Sequence, residues 1–488
     1  MKPAAQAARL RALALAMALA LSTPFAAKAG RPAITEAMRP YVSVDAKVVA
    51  LVHARVIDGT GAPAREAQTI VLRDGLIAAV GADGAVPVPP EAKLIDATGK
   101  SVLPGLVQLH EHLWMYGGSL LGVGSSYPKL FLASGVTAIR TTGSYNPYID
   151  LRVHKEIESG AAVGPWMDLT IYMDLFGAPR LLDARSTRNY LDFWLDAGFT
   201  SVKAYGYTNR TALKEAIRVA HARGLKVTGH LCKVSYSEAA DLGIDNIEHG
   251  FAMVPDFVRP APAPAVKTEV VDPHGDRECS AHALHGLENV DPDGPQARAL
   301  IDKLVKHKVA ITSTLPALED LIVDIPEQQG IDMLAPQIQD YHRQFRANMR
   351  KNAAQLVLPA ASLRKTVAME RAFMKAGGLL VSGTDPAVPS GGVVAGYSNA
   401  RQLELMVEHG FTPLEAIRVS TLNGATYLGR QQQIGSIAAG KQADLFIVEG
   451  DPSTRISDVR KVVTVFRQGV GYDPEALKRA VRGKVGLQ

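Results

Sequence analysis

Six side chains in this 488-residue chain have the types and spacing to hold metal ions. His110 and His112 flank Glu111, so on an extended strand both imidazoles share one face while Glu111 takes the other. Lys203 follows Thr200-Ser201-Val202, His230 follows Val227-Thr228-Gly229, and His249 follows Asn246-Ile247-Glu248. Asp385 follows Leu380-Val381-Ser382-Gly383-Thr384. Taken singly, none is diagnostic. Among 13 histidines an H-x-H pair is unremarkable. A lone strand-end histidine is more often a hydrogen-bonded core residue, a lone lysine is more often ion-paired, and an aspartate before proline is more often a turn residue. Their shared position at the ends of apolar runs reverses that weighting. Neutral imidazoles and a carboxylate are ordinary zinc ligands. Two divalent cations about 3.5–4 Å apart repel and need an anionic bridge. A lysine ammonium cannot serve, but the carbamate formed from a lysine and CO2 is an anion with two oxygens.

The runs that must position these groups are eight: Leu106–His110, Val136–Thr141, Asp168–Met173, Thr200–Ala204, Lys226–His230, Asn246–His249, Val309–Thr314 and Leu379–Thr384. Helical periodicity lies between several of them, over Arg210–Arg223, Ser235–Leu242 and Leu363–Ala376. Alternating strands and helices predict a parallel sheet. Eight such strands predict an α/β fold of the (β/α)8 TIM type over residues 105–424, with every candidate ligand on the active-site face. Counting alone leaves an open doubly wound sheet as the alternative. Short strands broken by Asp58-Gly59-Thr60-Gly61 and Asp74-Gly75 precede this region, and Ala443–Val448 and Val462–Phe466 follow it. A small β-sandwich formed from both chain ends, 30–104 and 425–488, is therefore expected. Residues 251–300 read as an insertion after the sixth strand. They carry seven prolines with His274, His282 and His285, and suit a lid or pocket wall, or alternatively a third metal site.

These motifs resemble the amidohydrolase superfamily, nearest in style to its imidazolonepropionase-like and Xaa-Pro-dipeptidase-like members. The resemblance runs through Asp58-Gly59-Thr60-Gly61, Pro104-Gly105-Leu106-Val107 leading into His110-Glu111-His112, and Gly135-Val136-Thr137. It continues through Gly224-Leu225-Lys226-Val227, Ile247-Glu248-His249-Gly250, Gly383-Thr384-Asp385, Thr421-Leu422-Asn423-Gly424-Ala425 and Gly435-Ser436-Ile437-Ala438-Ala439-Gly440-Lys441. It implies that His110, His112 and Asp385 hold one divalent metal, zinc foremost, and that His230 and His249 hold a second. Carboxylated Lys203 would bridge them, and Asp385 would be the catalytic proton carrier in amide hydrolysis by metal-activated hydroxide. Two stretches depart from the pattern of the peptidase-like relatives: Arg140-Thr141-Thr142-Gly143 and Leu231-Cys232-Lys233. Both bear on the substrate more than on the metals. Arg140, Tyr205, Tyr207 and Lys233 lie just beyond strand ends and are candidates to bind a substrate carboxylate.

The first 29 residues read as an export signal: Lys2, Arg9 and Arg11, an apolar run to Leu21, then Ala27-Lys28-Ala29. A periplasmic or secreted location follows as an expectation. These residues hold four of the 53 basic groups and none of the 48 acidic ones, so residues 30–488 carry a net charge of +1 (49 against 48). That balance, with no basic stripe, speaks against a nucleic-acid partner. No later run is long enough to span a membrane, and a homo-oligomer is compatible with the sequence. Cys232 and Cys279 allow at most one disulfide. The expected partner is a small amide of peptide or N-acyl amino acid type, as for a dipeptidase or aminoacylase. The alternatives are a mononuclear deaminase-type or cyclic-amide hydrolase and, from another class, a non-catalytic periplasmic metal- or ligand-binding protein.

Overall fold

Alternating β-branched residues and Asp-Gly turns give the amino-terminal region its strands. The computed structural model describes residues 30–174, 181, 183–257, 286–287, 290–326, 328–351 and 358–487. It opens with β1 (Val42–Val44), β2 (Val48–Val56), β3 (Arg65–Arg73), β4 (Leu76–Ala82), β5 (Lys93–Asp96) and β6 (Lys100–Pro104). The β3–β4 hairpin turns on Asp74 and Gly75, both at positive φ (50° and 88°), which matches the twist of a two-residue hairpin loop.

The middle of the chain supplies β7 (Leu106–Gln108), β8 (Trp114–Tyr116), β9 (Leu120–Gly122), β10 (Val136–Arg140), β11 (Trp166–Asp168) and β12 (Thr170–Tyr172). It continues with β13 (Ser201–Ala204), β14 (Lys226–Gly229), β15 (Asn246–Ile247), β16 (Ala310–Ser313) and β17 (Leu380–Ser382). All eight expected strands are found within two residues of their predicted cores, the third broken at Leu169 into β11 and β12. Parallel pairing runs β11-β10-β7 in one sheet and β12-β13-β14-β15-β16-β17 in another, while β8 and β9 form a hairpin. Hydrogen bonds tie the two parallel sheets at both seams: Leu109 N donates to Ser382 O at 2.6 Å, and Ser144 N to Thr170 O at 3.0 Å. The fold is of the α/β TIM-barrel type.

The crossover helices bury one face. In the helix Arg210–Ala222, Leu213, Ala216, Ile217 and Ala220 are buried at spacings of three and four, and the Asn209 side chain caps its start by accepting from Ala212 N at 2.9 Å. The helix Pro295–Lys306 begins inside the segment expected as an insertion, so that segment is helical from Pro295 onward. His274, His282, His285 and Cys279, like the expected export signal, lie outside the described residues.

The carboxyl-terminal strands β18 (Leu445–Glu449), β19 (Val462–Arg467) and β20 (Val470–Tyr472) join the amino-terminal ones. One nine-stranded sheet results, in the order β1-β20-β19-β18-β6-β2-β3-β4, with β5 added on β2. Its central seam pairs β6 with β18 antiparallel, Pro104 opposite Leu445. Among the described residues no helix is long and apolar enough to cross a membrane.

Candidate metal centre

The parallel ladder continues past the assigned strand ends, and this brings the six candidate residues to one place. His230 N donates to Ala204 O, Glu248 N to Gly229 O, and Gly250 N to Thr312 O. The carbonyl of His110 accepts from both Thr384 N (3.1 Å) and Asp385 N (2.9 Å), fixing the H-x-H segment against the Asp385 turn. This close approach requires Gly383, where a Cβ would sit 2.4 Å from the Cβ of His110. His249 and Asp385 both have left-handed backbones (φ 64° and 51°), an uncommon conformation away from glycine though one that His and Asp tolerate better than most, which turns their side chains out of the strand alternation.

Four imidazoles, Asp385 and Lys203 converge. The rings of His110 and His249 lie 4.6 Å apart, those of His249 and His230 4.6 Å, and those of His110 and His112 5.3 Å. Asp385 Oδ1 is 3.2 Å from His112 Nε2, and its Oδ2 is 3.8 Å from His110 Nε2 and 3.9 Å from His249 Nδ1. His110, His249 and Asp385 can each offer one ligand atom with all three within 4.8 Å of one another. The four histidines and Lys203 are buried, and Asp385 keeps 20% of its side chain exposed. Lys203 Nζ and His230 Nε2 are buried with no hydrogen-bond partner among the described residues. Polar nitrogens are rarely left so in a folded interior, and these two fit a site made for a further group.

The protonation states suit ligation. Burial pushes His110 down to about 4 and His249 to about 3, and holds His230 well below its usual range, so all three are neutral near pH 7. Burial also brings the Lys203 ammonium down to about 8. Burial alone would raise Asp385, but the facing rings of His110, His112 and His249 outweigh it and hold the carboxyl well below the usual carboxylate range. His112 Nδ1 faces the Gly143 carbonyl at 3.1 Å, an acceptor only, so that nitrogen carries a proton and Nε2 is the atom turned toward Asp385. His110 is fixed in the same way by Glu248, whose carboxylate accepts from Nδ1 at 2.7 Å.

Glu248 is the residue that strand-end reasoning passes over. It is fully buried and also accepts from Arg140 Nη2 (2.7 Å) and from the Thr228 hydroxyl. Arg140 and Lys203 hold its carboxyl well below the usual range against the opposing effect of burial. A carboxylate inside an apolar parallel strand was the signal available, since such a charge needs a buried partner.

Arg140, expected among the groups for a substrate carboxylate, has no exposed side-chain surface. Its guanidinium is fully buried and bonded to Leu109 O (2.8 Å), Asn246 Oδ1 (2.9 Å) and Glu248, the carboxylate that accepts from His110, while its Nη1 is buried with no hydrogen-bond partner among the described residues. The other three candidates make two separate contacts. The Tyr205 ring lies 4.5 Å from the His230 ring, and exposed Lys233 places its ammonium 5.6 Å from the centre of the Tyr207 ring.

Residues 101–471 match the family model described as the amidohydrolase family. An imidazolonepropionase of Porphyromonas gingivalis is 26% identical over 405 residues, covering 78% of this chain and 82% of that protein. An ochratoxinase of Aspergillus niger is 25% identical over 469 residues, 88% of each chain. Among solved structures, a Xaa-Pro dipeptidase with bound methionine in its active site superposes with a TM-score of 0.62 at 17% identity, covering 87% of this chain and all of that one.

Proposed function

The chain belongs to the amidohydrolase family and is a hydrolase acting on carbon–nitrogen bonds; from that premise we propose a binuclear enzyme that cleaves amides of dipeptide or N-acyl amino acid type. The observation that carries the reading is the pair of buried, unpartnered nitrogens, Lys203 Nζ and His230 Nε2, beside the His110, His249 and Asp385 cluster. A single cation at that cluster would leave both unanswered. His110, His112 and Asp385 would hold one zinc ion, His230 and His249 the other, and carboxylated Lys203 would join them. With Lys203 near 8, a fraction of its amine is neutral at physiological pH and able to add to CO2, releasing a proton and leaving an anion. The frame of this reading is a closed (β/α)8 barrel over 105–424, with a sandwich made from 30–104 and 425–488.

Bound divalent cations supply acidified water and polarise the scissile carbonyl. The chain's own groups do the rest. Asp385 is ionised, partly exposed and 3.2 Å from His112, placed to take a proton from the attacking water and return it to the leaving amine as the C–N bond breaks. Glu248 keeps the His110 proton on Nδ1. Lys233 and Tyr207 supply the cationic and phenolic groups for a substrate carboxylate, with Tyr205 against His230. The amino-terminal 29 residues, with their basic start, apolar run and Ala27-Lys28-Ala29, favour export to the periplasm or medium.

One observation favours a second reading: His110, His249 and Asp385 by themselves suffice for one metal, as in a mononuclear deaminase-type or cyclic-amide hydrolase. Protein prepared with zinc and bicarbonate is expected to carry two metals per chain and to hydrolyse members of a dipeptide and N-acyl amino acid panel. Lys203→Ala should lose metal, and short carboxylates should restore it. A stoichiometry of one with full turnover would establish the mononuclear reading.

A further inference from the structure

The metal-facing rings are continued by an apolar arc that nothing in the chemistry of ligation requires. From His112 the ring contacts run to Trp114 at 4.7 Å and to Tyr172 at 6.4 Å, the latter pair stacked with 16° between planes. Tyr172 meets Tyr205 edge-on at 5.8 Å, and Tyr205 meets His230 at 4.5 Å. Trp114 and Tyr172 form one packed cluster with Leu120, Tyr205 and Ala387, and Tyr145 extends it at 6.2 Å from Trp114.

These side chains come from separate places in the sequence: the β8–β9 hairpin, the connection after β10, the ends of β12 and β13, and the turn two residues past Asp385. Trp114, Leu120, Tyr205 and Ala387 follow strand ends that carry candidate ligands, and Tyr172 and Tyr145 join them through the ring contacts to His112, Tyr205 and Trp114, so all border the same site. Tyr145, at 37% exposure, marks where the arc reaches solvent. Gly143 makes room for it, since a Cβ there would stand 2.2 Å from the Tyr172 ring. Trp114 is fixed by donating Nε1–H to the Gly143 carbonyl at 3.2 Å, the same oxygen that orients His112.

The arc has two unlike ends. Trp114, Leu120 and Tyr145 lie on the His112 side, whereas Lys233 follows His230 by three residues and is exposed at the other. A substrate spanning the site would place its carboxylate toward Lys233 and the opposite half of the amide against the rings. We propose that this wall selects amides whose acyl half carries a bulky apolar, preferably aromatic, group. The proposal rests on the amide-hydrolase reading above for the orientation of the substrate. A flat ring gains here both from apolar area removed from water and from offset or edge-on contacts with the wall.

The test uses the zinc-loaded full chain and two hydroxamates, acetohydroxamate and phenylacetohydroxamate, whose binding by calorimetry needs no turnover. The phenyl compound is expected to bind tighter by on the order of tenfold or more. Tyr145→Ala should cut that ratio several-fold and Tyr145→Phe should restore it, because the ring and not the hydroxyl makes the contact. In parallel, kcat/KM is measured for N-acetylglycine and N-phenylacetylglycine, with the phenylacetyl compound expected to be the better substrate by a similar factor. A Kd ratio near one with turnover of both amides overturns the wall and leaves the hydrolase reading intact. A strong Kd ratio with no turnover of any amide overturns the hydrolase reading and leaves the wall standing.

Discussion

Replacing Glu248 by Gln should weaken both the fold and the metal centre, for two separable reasons. The carboxylate is fully buried and accepts at 2.7 Å from His110 Nδ1 and at 2.7 Å from Arg140 Nη2. Both partners present N–H groups, so an amide, with one acceptor oxygen and one NH2, can satisfy only one of them. If the amide oxygen faces Arg140, its NH2 meets His110 Nδ1, and the proton must move to Nε2, the nitrogen that faces Asp385. If the oxygen faces His110, the NH2 meets the guanidinium donor head-on. In either case the guanidinium loses its buried counter-charge. Breaking such a pair costs roughly 3–5 kcal/mol, and the bonds Arg140 keeps to Leu109 O and Asn246 put the expectation at the lower end, about 3 kcal/mol. Zinc affinity should fall about 10–100-fold through loss of the histidine-orienting carboxylate. Denaturant titration of chelator-stripped protein reads the first quantity, and competition with a chromophoric chelator at fixed pH reads the second. The double variant Arg140→Met, Glu248→Gln separates them: without the buried cation, stability should return in large part, while zinc affinity stays low. A single Glu248→Gln variant within about 0.5 kcal/mol of the parent, with unchanged zinc affinity, would refute the reasoning.

Asp385→Asn should keep the fold and lower kcat by more than the about 10²–10⁴-fold typical of general acid–base catalysis, because the amide cannot carry a proton and is also a poorer ligand. Metal content measured alongside kcat checks it, and near-parental turnover with full metal would remove Asp385 from proton transfer. Glu370 offers a pH test at a group that is not among the candidate ligands. It is fully buried, bonded to Ser313 at 2.9 Å, and pushed up to about 8 by burial. Between its unfolded pKa near 4.5 and about 8, the folded state holds a proton that the unfolded state has released, so this group's contribution falls as pH rises, by about 1.4 kcal/mol per pH unit. Glu370→Gln should therefore be stabilised at pH 8 relative to the parent and little changed at pH 4. A stability difference that does not vary between those pH values would sink the assignment of a neutral carboxylic acid.

What the sequence alone determined is local. Short apolar runs bounded by turns marked all eight parallel strands within two residues of β7, β10, β11–β12 and β13–β17, because strand length and punctuation are properties of neighbouring residues. Chemistry-bearing residues at the ends of those runs marked the four histidines, Lys203 and Asp385, and the two-residue period placed His110 and His112 on one face. Only tertiary structure decided where Arg140 points. Strands of a parallel sheet are apolar on both faces, so alternation groups side chains into two sets without saying which set faces the interior. Arg140 and Glu248 are 108 residues apart, and their pairing depends on how β10 and the end of β15 are arranged in the fold. The joining of the chain ends into one sheet has the same origin, since β6 meets β18 across more than 340 residues through backbone bonds that carry no side-chain signature. His249 and Asp385 also owe their convergence to positive-φ backbone conformations, uncommon even for the residue types that best tolerate them and held in place by the packed strands around them.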